Sequence, residues 1–397
     1  MSAVGYYHSL KLATRENKPF ARDKVAEIEK LLTRTSIELE MGMVGNLSLE
    51  FSVPSLAKGY ELMKSNMLNI FNRITYKVGY LFEPKPLLVS GMITNISFKV
   101  SEGIDFTVEA FVWSGDNISG IATILNLNNT TTGINGIYTW HEAIKKICET
   151  HKLELDISDV FPEIINLPAR SYVQTTNDWS FLRQVIKEEL SLDYVIKNIN
   201  NKLTLKVISP PTQQLLARKN AVSTFVLFKK PNFKKRIYPI LSFEVTPQEL
   251  IFLKSGTFTI TDIEKNETKQ MKTDIVIPSS SIEKNPVDPA TNQSIEPVMS
   301  EELPGTKTLQ ETSTENYCSA ENVKVYLNKQ LPFVKVTFST WGTFDLATGD
   351  VIEIDVGDPL FSTKYLITHL SHEISEGPET TIEAIKFTGD LKVEMSY

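Results

Sequence analysis

The sequence has few cysteines, no long apolar run and no excess of positive charge. Only 2 of its 397 residues are cysteines, Cys148 and Cys318, and their unlike contexts predict no disulfide. The N-terminus lacks the apolar stretch of a secretory signal, and no run reaches the length of a membrane span, so we expect no membrane insertion. A formal net charge of -7 offers no general basic surface for holding nucleic acid. These absences favour a protein made and kept in the cytoplasm.

Motifs for nucleotide, metal and nucleophilic chemistry are also missing. The chain contains no GxGxxG, GxxxxGK[ST] or GxSxG pattern. The sequence WHE at 140–142 begins like a zinc helix, but Lys145 stands where the second histidine is needed. His369 and His372 are expected on opposite faces of a strand, because strand side chains alternate. We therefore expect no catalytic residue, no cofactor and no metal ligand, although the abundant carboxylates leave a glycosidase pair open.

An internal repeat is the most informative feature of the chain. Residues 92–113 (MITNISFKVSEGIDFTVEAFVW) align without a gap with residues 366–387 (LITHLSHEISEGPETTIEAIKF). Both copies contain Ile-Thr, a Ser-Glu-Gly turn and Thr-x-Glu-Ala, which predicts one β-hairpin used twice. Because unlike sequence separates the copies, the repeat indicates duplicated domains with an insertion rather than a solenoid.

The patterns predict a mainly β fold with an α/β insert, made of two duplicated small antiparallel β-barrels and an α+β middle domain. The glycine- and asparagine-rich residues 114–135 are expected to be a linker. The predicted boundaries are 1–40 for an N-terminal extension with an amphipathic helix at 21–34, 41–115 for the first barrel, 116–212 for the insert, 213–262 with 321–397 for the second barrel, and 263–320 for a polar extended linker or loop.

Two sets of residues are predicted to shape the fold rather than to react. Glycines of the repeats and of their loops are expected to form turns: Gly79, Gly103, Gly349, Gly357 and Gly377. Large apolar residues are expected to form the core of the insert: Trp140, Trp179, Phe181 and Leu182. Thr139 and Glu142 fit a capping box, which predicts the start of a helix.

The C-terminal part of the chain resembles a known family. Residues 338–354 (FSTWGTFDLATGDVIEI), 365–374 (YLITHLSHEI) and 385–392 (IKFTGDLK) resemble the C-terminal barrel of baseplate hub proteins from contractile-tailed phages and related contractile injection systems. Residues 174–182 (QTTNDWSFL) are similar to the segment between the two barrels of that family. The resemblance extends over most of the chain, from about 47 to 392, but residues 264–320 have no counterpart in it.

The resemblance implies a homotrimeric structural protein with two tube-like barrels in each subunit. Six barrels would match a sixfold tail tube, and three subunits would match a threefold central spike. Implied partners are other copies of the chain, the tail tube protein or tube initiator, the spike and the baseplate wedge proteins. DNA would pass through the axial channel without specific binding. The implied location is the baseplate of the virion tail, after assembly in the host cytoplasm. Glu109 and Glu383 are candidates for an acidic channel lining that repels phosphate.

Three alternatives remain open at the level of sequence. The hub of a contractile bacteriocin or secretion device would have the same architecture and a different cargo. A tail-associated cell-wall hydrolase would use a carboxylate pair that spacing alone does not reveal. A polysaccharide-binding β-protein would need exposed aromatic clusters, which are not evident in the sequence.

Overall fold

The fold is described by a computed structural model. It describes residues 5–396 except 82–84, 101–103, 115–117, 161–169, 191, 200–201, 228–231, 248–254, 263–266, 277–315, 318–332, 359–360, 376 and 388–389. Within these residues the fold is mainly β, with a curled antiparallel half-barrel sheet and a few helices, which confirms the predicted fold class. None of the helices in this part of the chain is both long and apolar enough to cross a membrane.

Six strands and two helices form the N-terminal module. The strands run antiparallel in the order β1-β4-β5-β6-β3-β2. In β3, Leu47, Leu49, Phe51 and Val53 are buried in the core, because alternate residues of a strand face the same side. The elements are β1 (Tyr6–Ala13), α1 (Arg22–Glu29), β2 (Leu32–Glu40), β3 (Gly45–Val53), α2 (Leu56–Lys64), β4 (Arg73–Tyr80), β5 (Leu87–Val100) and β6 (Ile104–Ser114).

The predicted N-terminal extension contributes two strands to this sheet. Strand β1 pairs with β4, and β2 pairs with β3. The helix expected at 21–34 ends at Glu29, and the chain is extended from Leu32 onward. The reason is the alternating, β-branched sequence LTRTSIELE, which fits a half-buried strand better than a helix.

The insert combines helices with small sheets. Its elements are α3 (Ile118–Asn129), β7 (Asn135–Tyr138), α4 (Trp140–Thr150), β8 (Glu154–Asp159), β9 (Arg170–Val173), α5 (Asp178–Arg183), a π-helix (Gln184–Glu189), β10 (Asp193–Ile199) and β11 (Lys202–Ile208). Strands β10, β11 and β8 form a sheet, and β7 pairs with β9. The capping box of Thr139 and Glu142 begins α4 as predicted. The expected linker at 114–135 instead contains α3, whose Leu127 is buried in the insert core, so packing overrides a composition typical of loops.

The rest of the chain forms a second module and a smaller sheet. The elements are α6 (Gln213–Arg218), β12 (Thr224–Leu227), a 3-10 turn (Phe233–Lys235), β13 (Ile237–Ile240), β14 (Ser242–Pro247), β15 (Ser255–Asp262), β16 (Glu267–Val276), β17 (Asn316–Tyr317), β18 (Phe333–Trp341), β19 (Val351–Asp355), β20 (Lys364–Ile374), β21 (Glu379–Phe387) and β22 (Asp390–Ser396). We call β12–β14 with β18–β21 the C-terminal module. Strands β17, β15, β16 and β22 form a separate sheet, so the predicted linker at 263–320 contains a paired strand, β16.

Candidate functional site: a strand joint between two equivalent modules

Both repeated hairpins carry a β-bulge at the same position. The register of β5 against β6 shifts at Thr94, and the register of β20 against β21 shifts at Thr368. A bulge adds one residue to one strand of a pair and bends that strand. The aligned sequence copies therefore share a specific local deformation as well as a hairpin.

The threonine hydroxyl is hydrogen-bonded in the same way in both bulges. Thr94 Oγ1 donates to the backbone oxygen of Glu109 at 3.2 Å, and Thr368 Oγ1 donates to that of Glu383, also at 3.2 Å. The isoleucine before each threonine is fully buried opposite the alanine of Thr-x-Glu-Ala. The recurring Ile-Thr and Glu-Ala pairs thus have a physical reason, since they build one bulged hairpin twice.

Each module arranges its strands in the same order around its hairpin. The order β1-β4-β5-β6-β3-β2 of the N-terminal module corresponds to β12-β19-β20-β21-β18-β14 of the C-terminal module. By this order β5 is equivalent to β20, and β2 is equivalent to β14. The modules differ at one end, because β12 runs parallel to β19 whereas β1 runs antiparallel to β4.

The two modules meet edge to edge, where residues 35–40 of β2 pair antiparallel with residues 369–374 of β20. We call this pairing the internal joint. Arg34 Nε donates to Glu373 Oε2 at 2.8 Å, and Arg34 Nη1 lies 3.8 Å from Glu50 Oε1. The hydrogen bond to Glu373, together with both carboxylate charges, raises the pKa of Arg34. The joint unites both modules in one sheet of 13 strands.

The apolar face of β20 is fully covered at the internal joint. Leu370, His372 and Ile374 alternate along the strand and are all buried. The ring of Phe344 lies 6.0 Å from the ring of His372, between centroids. Pairing with β2 therefore buries side chains that the hairpin of β20 and β21 would leave at a sheet edge.

His372 is held neutral inside this joint. Its Nδ1 lies 2.9 Å from Thr380 Oγ1, and its Nε2 has no hydrogen-bond partner in the described part of the chain. Burial, with a smaller effect of His369, lowers the pKa of His372 to about 4. A charged imidazole would have to form in a buried site where the described residues offer no counter-ion, which burial strongly disfavours.

The predicted turn glycines lie in different settings. Gly349 and Gly357 both have φ of 80°, a conformation that glycine adopts without steric cost. Gly377 is exposed, and no described residue lies within 4 Å of the position of an added Cβ. Gly103 lies outside the described residues.

Gly79 is not in a turn, contrary to expectation. It is a buried residue of β4, one position before the end of that strand. An added Cβ would come within 2.9 Å of Pro86 Cβ, so close packing rather than a turn requires glycine here. The sequence pattern Val-Gly that it shares with the second module led to the wrong assignment.

The predicted apolar residues of the insert are close together in space. Trp140, Phe181 and Leu182 are buried in one cluster. Trp179 is partly buried against the same cluster, and its ring meets the edge of the Tyr194 ring at 5.9 Å between centroids. These contacts place the ends of α4, α5 and β10 around one small core.

A buried polar cluster in the insert was missed by sequence reasoning. Asp178 Oδ2 lies 2.6 Å from His151 Nε2 and accepts from Thr132 Oγ1 at 2.8 Å, while Oδ1 accepts from Gln174 Nε2 at 2.6 Å. Burial raises the pKa of Asp178, but the hydrogen bonds outweigh it and leave the pKa below its ordinary value. Asp178 directly follows the helix cap Asn177, a position where aspartate is normally exposed, so no local signal marks its burial.

The two candidate channel residues lie at equivalent positions with different partners. Glu109 Oε2 accepts from Asn95 Nδ2 at 3.1 Å. Glu383 Oε2 lies 2.6 Å from Lys335 Nζ, which offsets its charge. Both face away from the buried side of their strands. Their part in a channel lining remains a prediction.

Solved structures share this fold. The chain matches a tail protein from Neisseria meningitidis MC58 with a TM-score of 0.53 and 12% identity, over 96% of each chain. It also matches the 43 kDa tail protein of prophage MuSo2 from Shewanella oneidensis with a TM-score of 0.52 and 10% identity, over 96% of this chain and 98% of the other. No protein-family model and no curated protein matches the sequence. At these identities the similarity establishes the fold, which is that of the two tail proteins.

Proposed function

We propose that this protein is the baseplate hub of a contractile tail. In this proposal three copies form a ring that joins a sixfold tail tube to a threefold central spike and leaves an axial channel for DNA. The observation that carries the proposal is the occurrence of two modules with the same bulged hairpin and the same strand order in one chain. The fold shared with two tail proteins supports it.

The duplicated modules address a mismatch of symmetry. A sixfold tube and a threefold spike cannot meet through identical contacts at every position. Three chains with two equivalent modules each present six similar faces to the tube while they keep threefold symmetry toward the spike. A closed ring also leaves no sheet edge on which further copies could add.

The proposed partners follow from this arrangement. The ring would contact the tail tube protein or tube initiator on one side, the spike on the other, and baseplate wedge proteins around it. DNA would pass the sheet without being held, and Glu109 and Glu383 would contribute negative charge to the lining. The protein would then be part of the virion tail baseplate, assembled in the host cytoplasm.

Solution mass and particle shape test the proposal. We expect light scattering to give three times the mass of the chain, and electron microscopy of the same sample to show rings with a central hole. A stable monomer or dimer, or a closed particle without a hole, would overturn the hub assignment. A ring would also be expected of a bacteriocin or secretion hub. Only a phage hub would copurify with capsid components from the native particle.

A tail-associated hydrolase is the alternative of a different class. It predicts lysis of peptidoglycan by the purified chain, which a zymogram would detect. A hub without hydrolytic activity predicts no clearing at any protein concentration. Clearing that disappears on substitution of a single carboxylate would establish the enzymatic alternative.

A further inference from the structure

One half of β5 has an open edge. Strand β4 pairs with residues 87–92 of β5, but residues 95–100 pair only with β6 among the described strands. In the C-terminal module, the equivalent half of β20 is covered by β2 at the internal joint. Among the described strands, none therefore completes the N-terminal module in the way that β2 completes its counterpart.

The open edge exposes apolar side chains that are buried at the internal joint. Phe98 is 59% exposed and Val100 is 57% exposed. Their equivalents in the repeat, His372 and Ile374, are 0% and 4% exposed. Phe98 is paired with the buried Phe106, so it lies on the core side of the sheet. Phe98 and Val100 are therefore exposed because no described strand lies beside this half of β5, and not because they face the solvent side of the sheet.

The chain also carries a second open edge that fits the first. Strand β14 is equivalent to β2, but it pairs only with β18 among the described strands. The path β14-β18-β21-β20-β2-β3-β6-β5 connects the two open edges, with six strands between them. The edges therefore lie at opposite ends of the path, as a head-to-tail contact between copies requires.

We propose that β14 of one copy pairs antiparallel with residues 97–100 of β5 of the next copy, in the register of the internal joint. This inference rests on the proposed ring and names the contact that closes it. Residues 243–246 of β14 are equivalent to residues 35–38 of β2, because both segments pair at matching positions with β18 and β3, which in turn pair with the repeated strands β21 and β6. The resulting pairs are Phe243 with Val100, Glu244 with Lys99, Val245 with Phe98, and Thr246 with Ser97.

In this register the paired side chains complement each other on both faces of the sheet. Phe243 and Val245 pack partly buried against the core of their own module, so they would meet Phe98 and Val100 on the core side. Glu244 is exposed on the other face, opposite the exposed Lys99. Directly opposed charges of unlike sign stabilise a strand pair. At the internal joint the contact is diagonal, because Glu373 is paired with Ser36 and accepts a hydrogen bond from Arg34, two residues before Ser36. The pairing ends at Pro247, which has no N–H to donate.

Cross-linking between two differently labelled chains tests this contact. A tagged Lys99→Cys chain is co-expressed with an untagged Glu244→Cys chain, both with Cys318→Ser; Cys148 is buried and stays unchanged. Opposed strand residues have Cβ atoms about 5 Å apart, close to disulfide geometry. We expect mild oxidation to give a covalent dimer that retains the tag and disappears on reduction.

The matched control moves one cysteine along the same face of β5. Asn95→Cys replaces Lys99→Cys, which displaces the thiol by four residues, about 13 Å, so we expect at least tenfold less cross-linking. Equal cross-linking of both pairs would overturn the proposed register. A trimer without the 99–244 cross-link would overturn this contact and leave the ring intact. A monomer without a cross-link would overturn both the contact and the proposed hub.

Charge reversal provides an independent test that needs no cysteine. Lys99→Glu and Glu244→Lys are each expected to raise the concentration for half-assembly by about tenfold, since each contact between copies in the ring then opposes like charges. The double variant is expected to assemble at nearly the concentration of the natural protein, because the two charges attract again after exchanging places. Additive losses in the double variant would contradict the pairing of these two residues.

Discussion

Acid is expected to weaken the internal joint through His372. This histidine is fully buried opposite Ile37 of β2 and beside Phe344, with only the Thr380 hydroxyl as a polar partner in the described part of the chain. Burial lowers its pKa to about 4 from an ordinary value of 6.5. The experiment compares how the unfolding free energies of the natural protein and of His372→Gln change with pH.

The sign and size of the change in unfolding free energy follow from proton binding. Between about pH 6.5 and pH 4 the unfolded chain binds a proton at this position that the folded chain does not bind, so the free energy of unfolding falls as the pH falls. The loss should reach about 2.5 kcal/mol at pH 4.5. Above pH 6.5 the imidazole is neutral in both states, so His372 adds no pH dependence there.

Urea unfolding at several pH values measures this effect. The difference in unfolding free energy between the natural protein and His372→Gln should change by about 2.5 kcal/mol between pH 7.5 and pH 4.5, in favour of the variant at acid pH. His141→Gln, at a partly exposed histidine of α4, is the matched control. Parallel curves for the natural protein and His372→Gln would refute the burial of a neutral imidazole at this joint.

Three further changes have defined outcomes in the same unfolding assay. Asp178→Asn should lower the free energy of unfolding by about 3 to 5 kcal/mol, because it removes a buried charge from its donors, whereas Glu149→Gln, in an exposed pair, should cost less than about 0.5 kcal/mol. Equal effects would contradict the burial of the cluster. In β5, Gly91→Ala should cost about 3 kcal/mol, since its Cβ would overlap the backbone oxygen of Phe111, whereas Gly377→Ala meets no described residue within 4 Å and should stay within about 0.5 kcal/mol. Thr368→Val should cost about 1 kcal/mol by removing the hydroxyl bond of the bulge, and an unchanged stability would show that the bond does not hold the bulge.

Local signals predicted the elements that depend on neighbouring residues. The helix start at Thr139 was predicted from its capping box, because both partners lie within one turn. The repeated Ser-Glu-Gly pattern predicted the hairpins of β5 with β6 and of β20 with β21. Where tertiary packing competed with composition the prediction was wrong, as in α3, which lies in a stretch rich in glycine and asparagine. Gly79 was misassigned because close packing by Pro86 leaves no mark in the neighbouring sequence.

The sequence alone determined that one hairpin occurs twice, since the repeat preserves the threonine, the isoleucine and the alanine that build each bulge. Only the tertiary structure decided how the two copies meet. The joint pairs residues 35–40 with residues 369–374, and its ion pair links Arg34 to Glu373, 339 positions apart. Pairing between distant strands depends on which edges remain open after each module folds, and short-range patterns carry no information about that choice.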